Sequence, residues 1–120
     1  MIQSYEDLEV YKRSYRISIE MYRETMNFPP QEMYGLTSQI KRAATSIPLN
    51  IAEGYAKRES GAEFKRFLLM SIGSCSEMIV LLDMSRDLGF MNSDVVEKWK
   101  AEYVEIRKML TVLRERWTTY

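Results

Sequence analysis

An all-α fold, specifically an antiparallel up-down-up-down four-helix bundle with a proline kink in helix two, follows from three features of this 120-residue chain. Apolar residues recur at spacings of three and four through four long segments, no segment alternates with period two, and only three prolines and five glycines interrupt the chain. Helices joined by short connections pack as antiparallel neighbours. The length fits a single domain over residues 1–120.

The first helix is expected from about Tyr5 to Met26, with Leu8, Tyr11, Tyr15, Ile19, Tyr22 and Met26 along one side. Phe28-Pro29-Pro30 ends it, because a residue before proline is pushed out of the helical region and proline donates no hydrogen bond. The second helix spans about Gln31 to Lys57, with Leu36, Ile40, Ala43, Ala44, Ile47, Ile51 and Tyr55 as its apolar stripe. Pro48 removes a donor from its interior at a cost of about 3 kcal/mol unless packing offsets it, so a kink near Ala44 to Pro48 is expected.

Ser60-Gly61-Ala62-Glu63 has the spacing of a capping box and starts a third helix that runs to about Leu88, with Gly89 as its left-handed C-terminal cap. Phe64, Phe67, Leu68, Ile72, Cys75, Ile79 and Leu82 form the main stripe, yet Leu69, Met70, Met78, Val80 and Leu81 make other sides apolar too. Such a helix needs more than one neighbour. Its most apolar stretch, Phe67 to Leu82, is shorter than a membrane span and reads as a bundle helix. Asn92 or Ser93 caps the fourth helix, whose seam is Trp99, Tyr103, Ile106, Leu110, Leu113 and Trp117.

A short turn around Arg58 to Ser60 makes helices two and three a hairpin whose facing residue numbers sum to about 118. That register sets Arg42 opposite Glu77, Glu53 opposite Arg66, and Ser46 and Asn50 near Ser74 and Met70. Arg42, Ser46, Asn50, Glu53, Arg66, Ser74 and Glu77 are therefore the expected structural polar network. Glu77, the single charge of the apolar stretch, is expected to be buried against Arg42.

The residue inventory excludes much chemistry. Without histidine there is no Ser-His-Asp or Cys-His constellation and no His-ligated metal; a single cysteine allows neither an intrachain disulfide nor a CxxC motif. No catalytic residue, metal ligand or cofactor is expected. Cys75 in an apolar stripe reads as packing, and the five glycines are scattered rather than gathered into a phosphate loop. Paired carboxylates in a bundle suggest a di-iron site, but the Glu-x-x-His half of that motif is missing. An enzyme built on Glu53 and Glu77 is kept as an alternative.

Seventeen Lys+Arg balance seventeen Asp+Glu, so the whole chain carries no polyanion-binding excess. The charge is uneven, however. Lys41, Arg42, Lys57, Arg58, Lys65 and Arg66 are the candidate nucleic-acid-binding residues, with four of them clustered at the turn between helices two and three. A symmetric assembly would repeat that patch. The tyrosines of helix one suit the core edge or a subunit contact. The N-terminal sequence has no basic, apolar leader, so a cytoplasmic location without membrane contact is expected.

Four stretches carry a family resemblance: Tyr5-Glu6-Asp7-Leu8-Glu9-Val10-Tyr11; Gln39 to Tyr55 with its Ser46-Ile47-Pro48-Leu49-Asn50-Ile51-Ala52-Glu53-Gly54 block; Glu63-Phe64-Lys65-Arg66-Phe67-Leu68; and Ser74-Cys75-Ser76-Glu77. Together they closely resemble the bacterial 23S rRNA-intervening sequence proteins over nearly the whole chain. The resemblance implies a four-helix bundle assembled as a ring-shaped homopentamer, and no established enzymatic activity accompanies it. Related accessory variability proteins of diversity-generating retroelements form similar rings that contact a reverse transcriptase and nucleic acid, so RNA, DNA or such a protein are the implied partners. The expected function is a non-enzymatic oligomeric scaffold; the alternative binding role is a protein-only adaptor.

Overall fold

Local chemistry fixes where each helix begins and ends. The computed structural model describes residues 2–118, which form α1 (Glu9–Thr25), α2 (Leu36–Ala56), α3 (Gly61–Asp87) and α4 (Ser93–Arg116), with 3-10 turns at Tyr5–Asp7 and Pro30–Glu32. No strand occurs among the described residues. α1 starts later than its apolar periodicity suggests because Ser4 and Asp7 close a reciprocal capping box around a 3-10 turn, after which Leu8 is extended. α2 also starts late: a second 3-10 turn follows Pro29, and the Glu32 carboxylate accepts the first α2 amide, that of Leu36, at 3.3 Å.

The expected cap of α3 is half made. Ser60 Oγ accepts the Glu63 amide at 3.2 Å, while the Glu63 carboxylate turns to Arg66 at 2.9 Å instead of reaching back. Gly89 ends α3 with φ +80°, a conformation in which a Cβ would be strained. Asn92 caps α4 by accepting the Asp94 amide at 2.8 Å.

The helices are antiparallel in sequence order. Ser46 and Ser74 hydroxyls lie 2.6 Å apart and Ser71 donates to the Ile47 carbonyl at 2.9 Å, joining α2 to α3. Along the next seam Asp83 meets Lys100 at 2.8 Å, Ser76 meets Arg107 at 3.1 Å and Arg114 reaches the Lys65 carbonyl at 3.2 Å, so α3 and α4 run in opposite senses. Arg13 to Glu102 (2.9 Å) and Trp99 to Glu24 (3.4 Å) tie α1 to α4 across the most open seam. The resulting rod measures 49 × 24 × 21 Å.

Ile40, Ile47, Ile51, Phe64, Leu68, Met78, Leu82, Tyr103, Ile106 and Leu110 are fully buried along its axis. Burial of each such side chain contributes about 1.5–3 kcal/mol. α2 passes through Pro48 without interruption, and the ring is itself buried beside Ile47 and Ile51. Packing thus offsets the lost amide.

α1 corrects the sequence reading. Its buried face is Val10, Ser14, Ile17, Ser18, Met21 and Thr25, whereas Tyr15, Ile19, Tyr22 and Met26 of the expected stripe are exposed. The buried hydroxyls of Ser14, Ser18 and Thr25 donate to carbonyls three residues back, at 3.0, 2.6 and 3.0 Å. Satisfied internally, they pack as small residues.

α3 is the other departure. It is longer than the apolar stretch singled out in the sequence, and by length and composition it is apolar enough to cross a membrane. Its seams with α2 and α4 run along its length, as in a bundle helix, but they leave Leu69, Met70, Val80 and Met84 between 44% and 57% exposed.

Candidate functional site

The α2–α3 hairpin positions the basic cluster. Gly54 lets α2 approach α3 so closely that an added Cβ would stand 2.6 Å from Phe67 Cβ. The turn that follows brings the Lys57 ammonium and the Arg66 guanidinium over the Phe67 ring, at 4.8 and 4.6 Å from its centroid. Arg58 stacks on Tyr55 at 4.1 Å and donates to the Tyr55 carbonyl at 2.9 Å. The buried rings beneath hold three cations by their faces while the heads stay in solvent.

Below them Tyr55, Phe64 and Trp117 meet edge to face, with Phe64 and Trp117 centroids 4.6 Å apart. Trp117 lies just beyond α4 in extended conformation, so the C-terminal end of α4 is fastened to the hairpin turn. Arg66 is the partly neutralised member of the cluster: its paired hydrogen bonds with Glu63 hold that carboxyl below its ordinary range.

Lys41 and Arg42 do not join this cluster. They lie about 24 Å away along α2, at 1.5 Å rise per residue. The Lys41 ammonium sits over the Tyr22 ring at 4.8 Å, and Arg42 lies 3.8 Å from Glu77. The six basic residues therefore divide into a group of four at the turn and a separate pair.

The polar network is likewise partial. Ser46 and Ser74 meet, and Asn50 Nδ2 donates back to the Ser46 carbonyl at 2.8 Å. Arg42 and Glu77 are paired as the register requires, but the side chains are 75% and 44% exposed, which corrects the expectation of a buried ion pair. Glu77 belongs to the outer side of α3, where such a pair contributes little. Arg66 pairs with Glu63, its own neighbour one turn back, rather than with Glu53, because residues three apart on one helix meet at less cost in side-chain order.

The same geometry separates the two carboxylates of the alternative enzyme reading. Arg42, which faces Glu77, is three turns from Glu53, about 16 Å. No group of acidic or cysteine side chains suited to a metal occurs among the described residues. Cys75 is buried, and burial pushes its thiol up to about 12.

Sequence reasoning missed two arginines that α4 turns toward α3: Arg114, which reaches Lys65 near the basic end, and Arg107, two turns further along the seam beside Ser76. The available signal was the interval of seven from Lys100 to Arg107 to Arg114, which repeats one position of the helical seam. It also missed an apolar groove of about 290 Å³ between α1 and α2, lined by Tyr11, Tyr15, Ile19, Tyr22, Pro48 and Leu49 among others.

Comparison with known proteins agrees with this architecture. A crystal structure of a protein of unknown function from the S23 ribosomal protein family of Bacteroides thetaiotaomicron VPI-5482 is similar at a TM-score of 0.79, with 21% sequence identity over 88% of this chain and 95% of that one. No curated protein matches the sequence. The family model of the 23S rRNA-intervening sequence protein matches residues 6–112. With nearly the whole bundle inside that match, the chain belongs to the 23S rRNA-intervening sequence protein family.

Proposed function

We propose that the protein is a non-enzymatic scaffold of the cytoplasm that associates with further copies of itself and engages nucleic acid through the basic end of the bundle. The observation that carries this reading is the outer face of α3, where Leu69, Met70, Val80 and Met84 stay exposed after α2 and α4 have packed. An apolar face of this kind marks an interaction surface. Covering it with other copies, in a ring-shaped homopentamer as the family resemblance implies, would gather the cations of each α2–α3 turn on one rim. Repetition then supplies the electrostatic field that a neutral monomer lacks.

A non-catalytic role is supported by the protonated, buried Cys75 and by the separation of Glu53 from Glu77. Affinity capture with and without nuclease tests the reading. Nucleic acid recovered with the untreated protein, weakened by combined removal of Arg58, Lys65 and Arg66, is the expected result. Partners retained equally after nuclease, with no nucleic acid recovered, would favour the protein-only adaptor. That second reading draws on the apolar α1–α2 groove, whose tyrosines suit a protein contact.

A further inference from the structure

α4 changes sign along its length. From Ser93 to Glu105 it carries Asp94, Glu97, Glu102 and Glu105 against Lys98 and Lys100, whereas from Arg107 to Arg116 it carries Arg107, Lys108, Arg114 and Arg116 against Glu115 alone. The zero net charge of the chain conceals this polarity. The basic half of α4 runs from beside Ser76, where Arg107 sits, toward the α2–α3 turn, where Arg114 touches Lys65 and Trp117 packs on Phe64.

Within that polarity one position recurs. Lys100, Arg107 and Arg114 are spaced by seven, two helical turns, and all three turn toward α3. At the first, α3 supplies a carboxylate, and Lys100 meets Asp83 at 2.8 Å inside a network with Arg86 and Glu97. At the next two it supplies only neutral oxygens: Arg107 donates to Ser76 Oγ at 3.1 Å and Arg114 to the Lys65 carbonyl at 3.2 Å. Arg58 is held in the same way, by the Tyr55 carbonyl.

The remaining hydrogen-bonded arginines contrast with these three. Arg13, Arg23, Arg66 and Arg86 each reach a carboxylate at 2.8–3.2 Å. A neutral acceptor fixes a guanidinium without cancelling its charge, which leaves several donors and a full positive charge for an external anion. Fixing those side chains beforehand also lowers the ordering cost when the anion arrives.

We propose that Arg58, Lys65, Arg107 and Arg114 form a phosphate-binding ridge that seats one strand of nucleic acid along the α3–α4 seam. Arg107 and Arg114 stand about 10 Å apart at 1.5 Å per residue, far enough for each to meet a different phosphate of one strand. The Lys100–Asp83–Arg86–Glu97 network, already neutralised, ends the ridge. This inference rests on the nucleic-acid reading above and assigns that reading a surface on α4.

Fluorescence anisotropy with a labelled 20-nucleotide single-stranded RNA, at 50 and 200 mM salt, tests it. Arg107→Gln/Arg114→Gln is expected to weaken binding about tenfold or more and to flatten the log K against log salt slope by about 0.7 per lost phosphate contact. Arg16→Gln/Lys98→Gln removes the same charge elsewhere and should change affinity no more than about threefold. Arg107→Lys/Arg114→Lys keeps the charge and should retain most of the binding, separating lost contacts from lost fold. Equal weakening by both glutamine pairs, or none by the seam pair while wild type binds, would overturn the ridge and leave the nucleic-acid reading intact. No binding by wild type at 50 mM salt would overturn both.

Discussion

The β-carbon that Gly54 lacks would stand 2.6 Å from Phe67 Cβ and 3.1 Å from Phe64 Cδ1, so α2 and α3 touch here at the distance only a glycine allows. Alanine is favoured over glycine inside a helix by about 1 kcal/mol, but overpacking a core costs about 1–3 kcal/mol. The clash is with a Cβ close to backbone, which no rotamer change relieves. Gly54→Ala is therefore expected to destabilise the bundle by about 1–2 kcal/mol in urea unfolding. A gain in stability would show that the two helices part easily at this point.

Tyr103 is wholly buried, and its hydroxyl has no hydrogen-bond partner among the described residues. Burial also drives its ionisation far upward. An unsatisfied buried hydroxyl costs about 1–3 kcal/mol, while the ring itself fills the core. Tyr103→Phe keeps the ring and should leave stability unchanged or raise it by about 1 kcal/mol. A loss greater than about 1 kcal/mol would mean that the hydroxyl is engaged.

Cys75 makes a prediction about pH. Its thiol, ordinarily at 9.0, is raised to about 12 by burial, so the folded state keeps the proton at pH values where the unfolded chain has lost it. The contribution is complete below about pH 9 and is lost as pH rises toward 12. Cys75→Ala should reduce the alkaline fall in stability, when each protein is compared with itself at pH 8 and at pH 10.5. At pH 8 the native thiol should react with a thiol reagent at the rate of unfolding; rapid labelling of the native protein would contradict its burial.

The bundle and three of its four buried stripes were legible because α2, α3 and α4 each place one strong apolar series against a neighbour. Tyr103, Ile106 and Leu110, picked by their spacing, are all buried. α1 was misread because it carries two overlapping series, and the more apolar one lies outside. Spacing cannot rank Tyr15, Ile19 and Tyr22 below Ser14, Ser18 and Thr25; the local hydroxyl-to-carbonyl bonds do. The hairpin register placed Arg42 by Glu77 but not the depth of that pair, since depth depends on helix rotation. Of the basic site, the turn was visible as a cluster in sequence, whereas Arg114 reaches it, and Arg107 the seam beyond it, only through the return of α4.

Size-exclusion chromatography with light scattering at micromolar concentration tests most directly whether α3's outer face is a contact between copies. The wild-type chain is expected at a multiple of 14.2 kDa, five-fold for the ring, and Leu69→Glu/Val80→Glu is expected to reduce it to 14.2 kDa with its helical circular dichroism intact. A wild-type chain that elutes at 14.2 kDa at that concentration would contradict the account.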